Sequence, residues 1–335
     1  MDSVSLARTH HHQPRVISCE ARVHMVQKAI ALGLILLATT LAMWANQASA
    51  RSMVYKVSKG DQQLFLAGTV HLLKDSDYPL PLEYDQAYRQ SAVIGYEIDP
   101  DLMATPEAQQ MMLQMMMLPA DETLAGHLSK ETYQALLKEA KPLGLDEASL
   151  SRMNPSAAIL MLTVASLQRL GFRADKGVEM YYNVRAASDA KKEFSLENLQ
   201  FQLKLLTSLA DGQEDASVKY TLLQLKTLEE DFRSITQAWR SGNAEQLHGL
   251  ISGMLEKDYP GMYQKLLVER NRSWIPLLEK RLATPEIETV FVGAAHLAGP
   301  ESVLAMLQKR GYLIEQLSVH QKAEQETKKA KKLKR

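Results

Sequence analysis

The chain has 335 residues, 46% of them hydrophobic, and its formal charges cancel at 39 basic and 39 acidic side chains. That is the composition of a globular protein with enough apolar material for a sizeable core. It carries no excess of basic side chains of the kind that holds nucleic acid, so no nucleic-acid partner is expected.

The first segment is set aside from the fold. Residues 1–50 read as an upstream extension followed by a secretory signal peptide over about 25–50. Met25 and Lys28 precede an apolar run from Ala29 to Ala45, and Ala48-Ser49-Ala50 is an A-x-A cleavage pattern. Met25 is the expected start, and a periplasmic or secreted protein beginning at Arg51 is the expected product. The alternative is an uncleaved N-terminal membrane anchor, because the apolar run approaches the lower limit for a span. Cys19 is the only cysteine, so a chain starting at Arg51 has no thiol for catalysis, metal binding or disulfides.

SMVYKV and QLFLAGT are β-rich runs split by the turn-like Ser58-Lys59-Gly60-Asp61, which predicts a hairpin. A helix is predicted over 82–91. AVIGYEI (92–98) is a continuous apolar run, as for a strand buried on both faces. A long helical stretch follows. Pro106 opens one helix, and SKETYQALLKEA opens another with a capping pattern. Residues 154–171 carry a cap, an early proline and a closing glycine. Apolar almost all round, this is the expected central core helix. KEFSLE (192–197) is a candidate third sheet strand. Helical periodicity then covers 198–209, 215–240 and 244–282, broken around Gly242 and at Tyr259-Pro260-Gly261. ETVFVG returns to strand, a helix is predicted over 301–309, and YLIEQL ends the folded part. The lysine-rich tail 321–335 is expected to be disordered and solvated, with weak envelope association as the one partner it offers.

Strands separated by helices predict an α/β fold. The expectation is one domain over 51–320, a central mixed or parallel sheet with a large helical insertion at about 101–285.

Four chemically capable groups fall at, or just past, the carboxyl ends of predicted strands: His71, Glu97, Glu197 and His296. In open α/β sheets that edge is where ligands bind. Both histidines follow Gly-x-x, and Gly68 and Gly293 would let the backbone leave the strand sharply or let a group approach closely. Two imidazoles with one or two carboxylates can hold a divalent metal with positions left for water and substrate. Such a metal acidifies its water, and a free glutamate can take the proton. The same groups also read as ordinary hydrogen-bonded residues. Glu97, inside an apolar strand, must in either case meet a cation, a metal or several donors. In LLVERNRSWIPLLEKRL, Arg270 and Trp274 lie four apart and share a helix face, beside Asn271. The guanidinium can stack there or pair with Glu97 or Glu197, or it can simply be solvated. The methionines at 111, 112, 115, 116 and 117 read as flexible core or a soft peptide-binding surface rather than a copper site.

These residues resemble the TraB/GumN family, related to the Tiki metalloproteases. The resemblance runs from about Val54 to Leu317. It is carried by AGTVHLL with PLP soon after, GYEIDP, the LEN segment followed by Gln202, the RN..W helix, and VGAAHLAGPESVLAMLQKRGY. It implies an erythromycin-esterase/ChaN-like architecture and a hydrolase-like site. There the paired Gly-x-x-His motifs and a glutamate bind a divalent metal, Mn²⁺ or Co²⁺ rather than Zn²⁺. His71, Glu97 and His296 would then be ligands and Glu97 or Glu197 the base. Arg270 with Asn271 would orient carboxylates or stabilise an oxyanion. Family members often read LET where this chain has Leu196-Glu197-Asn198, which leaves the glutamate but changes its surroundings.

The resulting expectation is an exported metal-dependent hydrolase, first of all a peptidase, acting on a peptide or small molecule. The alternatives are a non-enzymatic peptide-, signal- or metal-binding protein, and a metal-free hydrolase with His71 as base.

Overall fold

The computed structural model describes residues 51–318. The expected upstream extension and signal peptide, and the tail 321–335, lie outside those residues. Among the described residues no helix is long and apolar enough to cross a membrane.

Six strands form one mixed sheet. The hairpin β1 (Arg51–Lys59) and β2 (Gln62–Thr69) comes first, then β3 (Val93–Tyr96), β4 (Lys192–Ser195), β5 (Glu288–Gly293) and β6 (Leu313–Ser318). Their spatial order is β4-β3-β5-β2-β1-β6. The run β4-β3-β5-β2 is parallel, and β1 pairs antiparallel with β2 and β6. β5 is central, and its first five residues are buried, as its Val-Phe-Val run demands. In register, Thr69 faces Gly293, Tyr96 faces Phe291 on one side and Ser195 on the other. The carboxyl ends of four strands therefore share one edge.

The longer helices, in chain order, are α1 (Leu82–Gln90), α2 (Pro106–Met116), α3 (Lys130–Ala140), α4 (Pro155–Arg169), α5 (Val178–Ser188), α6 (Leu199–Thr207), α7 (Glu214–Gln224), α8 (Leu228–Arg240), α9 (Ala244–Asp258), α10 (Glu269–Leu282) and α11 (Val303–Lys309). Capping follows the sequence signals: Thr105, Ser129 and Asn154 each accept a backbone N–H three residues on. The stretch predicted as one helix over 215–240 is two, α7 and α8, separated at 225–227. α5 follows a short turn at Ala174–Lys176 and has no counterpart among the predicted elements.

Two apolar clusters result. The larger contains both faces of the sheet and buried residues of α1, α5, α8, α10 and α11, with Trp239, Trp274 and stacked Tyr96, Phe291 and Tyr182 among them. The smaller joins α3, α4 and α7 through Leu136, Ala158, Leu162 and Val218. Helix α4 is therefore not the central core helix. Its buried Ala158 and Leu162 belong to the smaller cluster, none of its residues joins the larger one, and Leu160 is exposed. β4 lies where KEFSLE predicts a strand, within the stretch 101–285. Its members α5, α8 and α10 pack on the sheet, leaving the separate cluster to residues between 118 and 225.

Candidate functional site

β2 and β5 are parallel neighbours, so the two Gly-x-x-His segments, one near each end of the chain, leave the sheet side by side. A Cβ placed on Gly293 would lie 3.1 Å from Glu97 Oε1, 3.5 Å from His296 Cδ2 and 3.7 Å from His71 Nε2. All three side chains thus surround one point at the sheet edge. Gly293 leaves its flank clear for the Glu97 carboxylate, which a Cβ would crowd and to which its N–H donates at 2.6 Å. Of the two roles the sequence allowed, it supplies room for a close approach rather than a sharp turn, and its φ of −50° is open to any residue. Gly68 likewise packs against Ala294, and its carbonyl accepts from Trp239 Nε1 and the Tyr84 hydroxyl.

Arg270 organises the interior of the site. A π-helical turn over Gln264–Val268 leads into α10 and leaves the Leu266 carbonyl to accept from Arg270 Nη1 at 3.2 Å. The other four N–H groups are spent as well. Nε and Nη2 grip Glu197 at 2.8 and 2.9 Å, Nη2 also meets Glu97 Oε2 at 2.5 Å, and Nη1 donates to His296 Nε2 at 3.0 Å. An arginine has five donors, so no N–H of Arg270 is left for an oxyanion. It orients two carboxylates and an imidazole instead. Glu197, held additionally by Trp274 Nε1 at 2.9 Å, is likewise enclosed and is not placed as a base. Gln202 on α6 adds a donor to Glu97 Oε2 at 3.3 Å.

His296 is closed on both sides. Arginine cannot accept, so Nε2 carries the lone pair and Nδ1–H donates to Asn271 Oδ1 at 2.6 Å. Asn271 is fixed in turn by donating Nδ2 to the Glu301 carbonyl at 2.7 Å. Asn271 therefore sets a tautomer and faces no oxyanion. Burial pushes the His296 imidazole down to about 3, with Arg270 and His71 reinforcing that push against Glu97. Burial raises the Glu97 carboxyl. The imidazoles, the Arg270 guanidinium and the Gly293 amide overcome this and hold it at about 2.

His71 has the opposite surroundings. Its side chain is 60% exposed, and Nδ1 meets Glu179 Oε1 at 2.7 Å. The Glu179 carboxylate is the chief reason that the imidazole is pushed up to about 9; burial opposes it, and Glu97 adds to it. Glu179 arrives by local pinning. Leu73 and Arg173 exchange backbone hydrogen bonds, and the Val178 N–H donates to the Val70 carbonyl, which seats the start of α5 beside His71. Gly177 makes this approach, since a Cβ there would stand 2.6 Å from the His71 carbonyl. Glu179 was not among the sequence candidates. Gly177 at a helix start was the one trace of it.

These residues, as placed, do not fit the divalent metal that the family resemblance implies. Among the described residues no three His, Cys, Asp or Glu side chains gather to hold a metal ion. The Nε2 lone pair of His296 and Oε2 of Glu97 both face the guanidinium, which is the cation of the site. That leaves Nε2 of His71 and Oε1 of Glu97, the latter already accepting from the Gly293 N–H, which falls short of a metal's ligand set.

The comparisons agree with the extent of the motifs. The chain is 24% identical over 249 residues to YbaP, an uncharacterised protein of Escherichia coli strain K12, covering 74% of this chain and 89% of YbaP. It is 24% identical over 278 residues to an uncharacterised protein of Treponema pallidum strain Nichols, covering 78% of this chain and 81% of that one. No solved structure matches. A model of the TraB/PrgY/gumN family matches residues 53–316, and the chain belongs to that family.

Proposed function

We propose that this family member is a hydrolase of ester or peptide bonds in which His71, held by Glu179, activates the attacking water. The observation that carries this reading is the aim of His71. Its Nδ1 is occupied by Glu179, and its Nε2 shares the Gly293 rim with Glu97 Oε1. In its neutral form, Nε2 takes a proton from water, Glu179 steadies the imidazolium, and the same proton goes to the leaving group. The network of Glu97, Arg270, Glu197, His296 and Asn271 holds that rim rigid and charged. The leader ending at Ala48-Ser49-Ala50 supports export, which puts peptides and small esters of the envelope within reach. N-terminal sequencing of the protein from the cell envelope should then begin at Arg51.

The test is hydrolysis of p-nitrophenyl esters and of a fluorogenic peptide mixture by wild type and His71→Ala, each with and without a chelator. Turnover that survives the chelator and is lost in His71→Ala supports the reading. Turnover abolished by the chelator and restored by Mn²⁺ or Co²⁺ replaces it with the metal-dependent peptidase. No turnover of any substrate leaves a binding protein.

A further inference from the structure

The hydrolytic site uses none of a second feature, enclosed by the helical half. A cavity of about 210 Å³ lies among α4, α6, α7 and α9, with Ile159, Leu160, Leu206, Leu255 and Met262 in its wall. The hydroxyl groups there are largely spent on the protein itself. Thr163 Oγ1 donates to the Ile159 carbonyl at 2.8 Å, Thr221 Oγ1 to the Ser217 carbonyl at 3.0 Å, and Ser156 Oγ accepts from the Ala210 N–H at 2.8 Å. Such a wall gains from an apolar guest and offers little to a polar one. A second hollow of about 240 Å³ adjoins it through Leu209, Ser217, Tyr259 and Met262. Asp211, Gln213 and Lys265 also line that hollow, so it is polar with both signs of charge.

The two hollows together describe an amphiphile with a long apolar end and a neutral polar one. Benzene, with six carbons, fits a dry cavity of about 150 Å³, so the apolar hollow takes a group of about eight carbons. The cavity also lies close to the chemistry. Gln202, which donates to Glu97, and Leu206, which lines the cavity, are four apart on α6. They share a helix face and sit about 6 Å apart along the axis.

We propose that this cavity is an acyl-chain pocket and that the substrate carries an aliphatic acyl group of about eight carbons on its ester or amide. The second part rests on the hydrolase reading; the first does not.

Calorimetry with straight-chain N-methylamides from butanoyl to decanoyl tests the pocket, using wild type, Leu160→Trp, Thr221→Leu and His71→Ala, with circular dichroism to verify folding. Leu160 is 37% exposed, so the larger ring has room to settle while filling the pocket. Wild-type affinity should rise about fourfold per methylene and level off near eight carbons. Either filling variant should flatten the series, and His71→Ala should keep it. Affinity indifferent to chain length, a rise that continues unbroken to ten carbons, or a series unchanged in both filling variants overturns the pocket. The same chain-length dependence in kcat/KM for p-nitrophenyl esters joins pocket to site. Binding without ester turnover overturns the hydrolase reading, and with it the substrate assignment, and leaves the pocket standing.

Discussion

The two Gly-x-x-His segments leave neighbouring strands at the same edge, yet their histidines live under opposite rules. His296 has 3% of its side chain exposed, is bonded at both nitrogens and is pushed down to about 3. His71 has 60% exposed, one nitrogen on a carboxylate and the other at the Gly293 rim, and is pushed up to about 9. A repeated motif therefore fixed where two imidazoles would stand but not what they would do. Partners and burial divided the labour, giving one histidine to the framework and one to the rim.

The sharpest way to break that contrast is to remove the cation behind it. Arg270→Met leaves Glu97 and Glu197 buried without a counter-charge, and denaturant unfolding should show a loss of about 3–5 kcal/mol. The histidines themselves should then separate. His71→Ala should cut ester turnover by about 10²- to 10⁴-fold, while costing no more than about 1 kcal/mol of stability for the lost ion pair with Glu179. His296→Ala should instead cost about 1–3 kcal/mol of stability, since it strands the Arg270 and Asn271 groups that face it.

The pH dependence follows with opposite signs. His296 stays neutral in the fold while the unfolded chain takes up a proton, so stability is lost as pH falls from 6.5 toward about 3. Glu97 extends that loss as pH falls from 4.5 toward about 2. His71 is protonated in the fold, and the stability this supplies is lost as pH rises from 6.5 toward about 9. The alkaline branch should be the shallower, because water screens the exposed His71–Glu179 pair. Thermal midpoints should peak near 6.5, ester turnover should climb toward about 9, and NMR titration should assign the two imidazoles. A single shared histidine pKa would erase the distinction. The smallest effect expected is that of Trp274→Phe. It keeps a ring against His296 and Arg270 but removes the N–H to Glu197, costing about 1 kcal/mol by the same unfolding measurement.

Much of this was legible in the sequence because it followed from period and composition. The strands came from apolar runs between turn residues, and their carboxyl ends gave the edge where His71, Glu97, Glu197 and His296 stand. The i,i+4 spacing of Arg270 and Trp274 placed both on one face, and the structure brings that face onto Glu197. The failures share a cause. An apolar period reveals that a helix is buried but not against what, and α4, expected in the central core, packs in the smaller cluster. Glu179 belongs to a helix that sequence reading passed over, delivered by backbone pairing at Leu73 and Val178 that leaves no side-chain signature. The saturation of Arg270 is a property of five contacts from several elements, invisible until they meet.

The central place of β5 also governs when the site can exist during synthesis. Before Glu288–Gly293 emerges, β2 and β3 lack the strand that stands between them, and each presents an open edge. That pairing spans most of the chain, the kind of long-range closure that folds slowly. A ribosome must finish nearly all of the protein before the Gly293 amide can meet Glu97, so fragments released early are born without the assembled site.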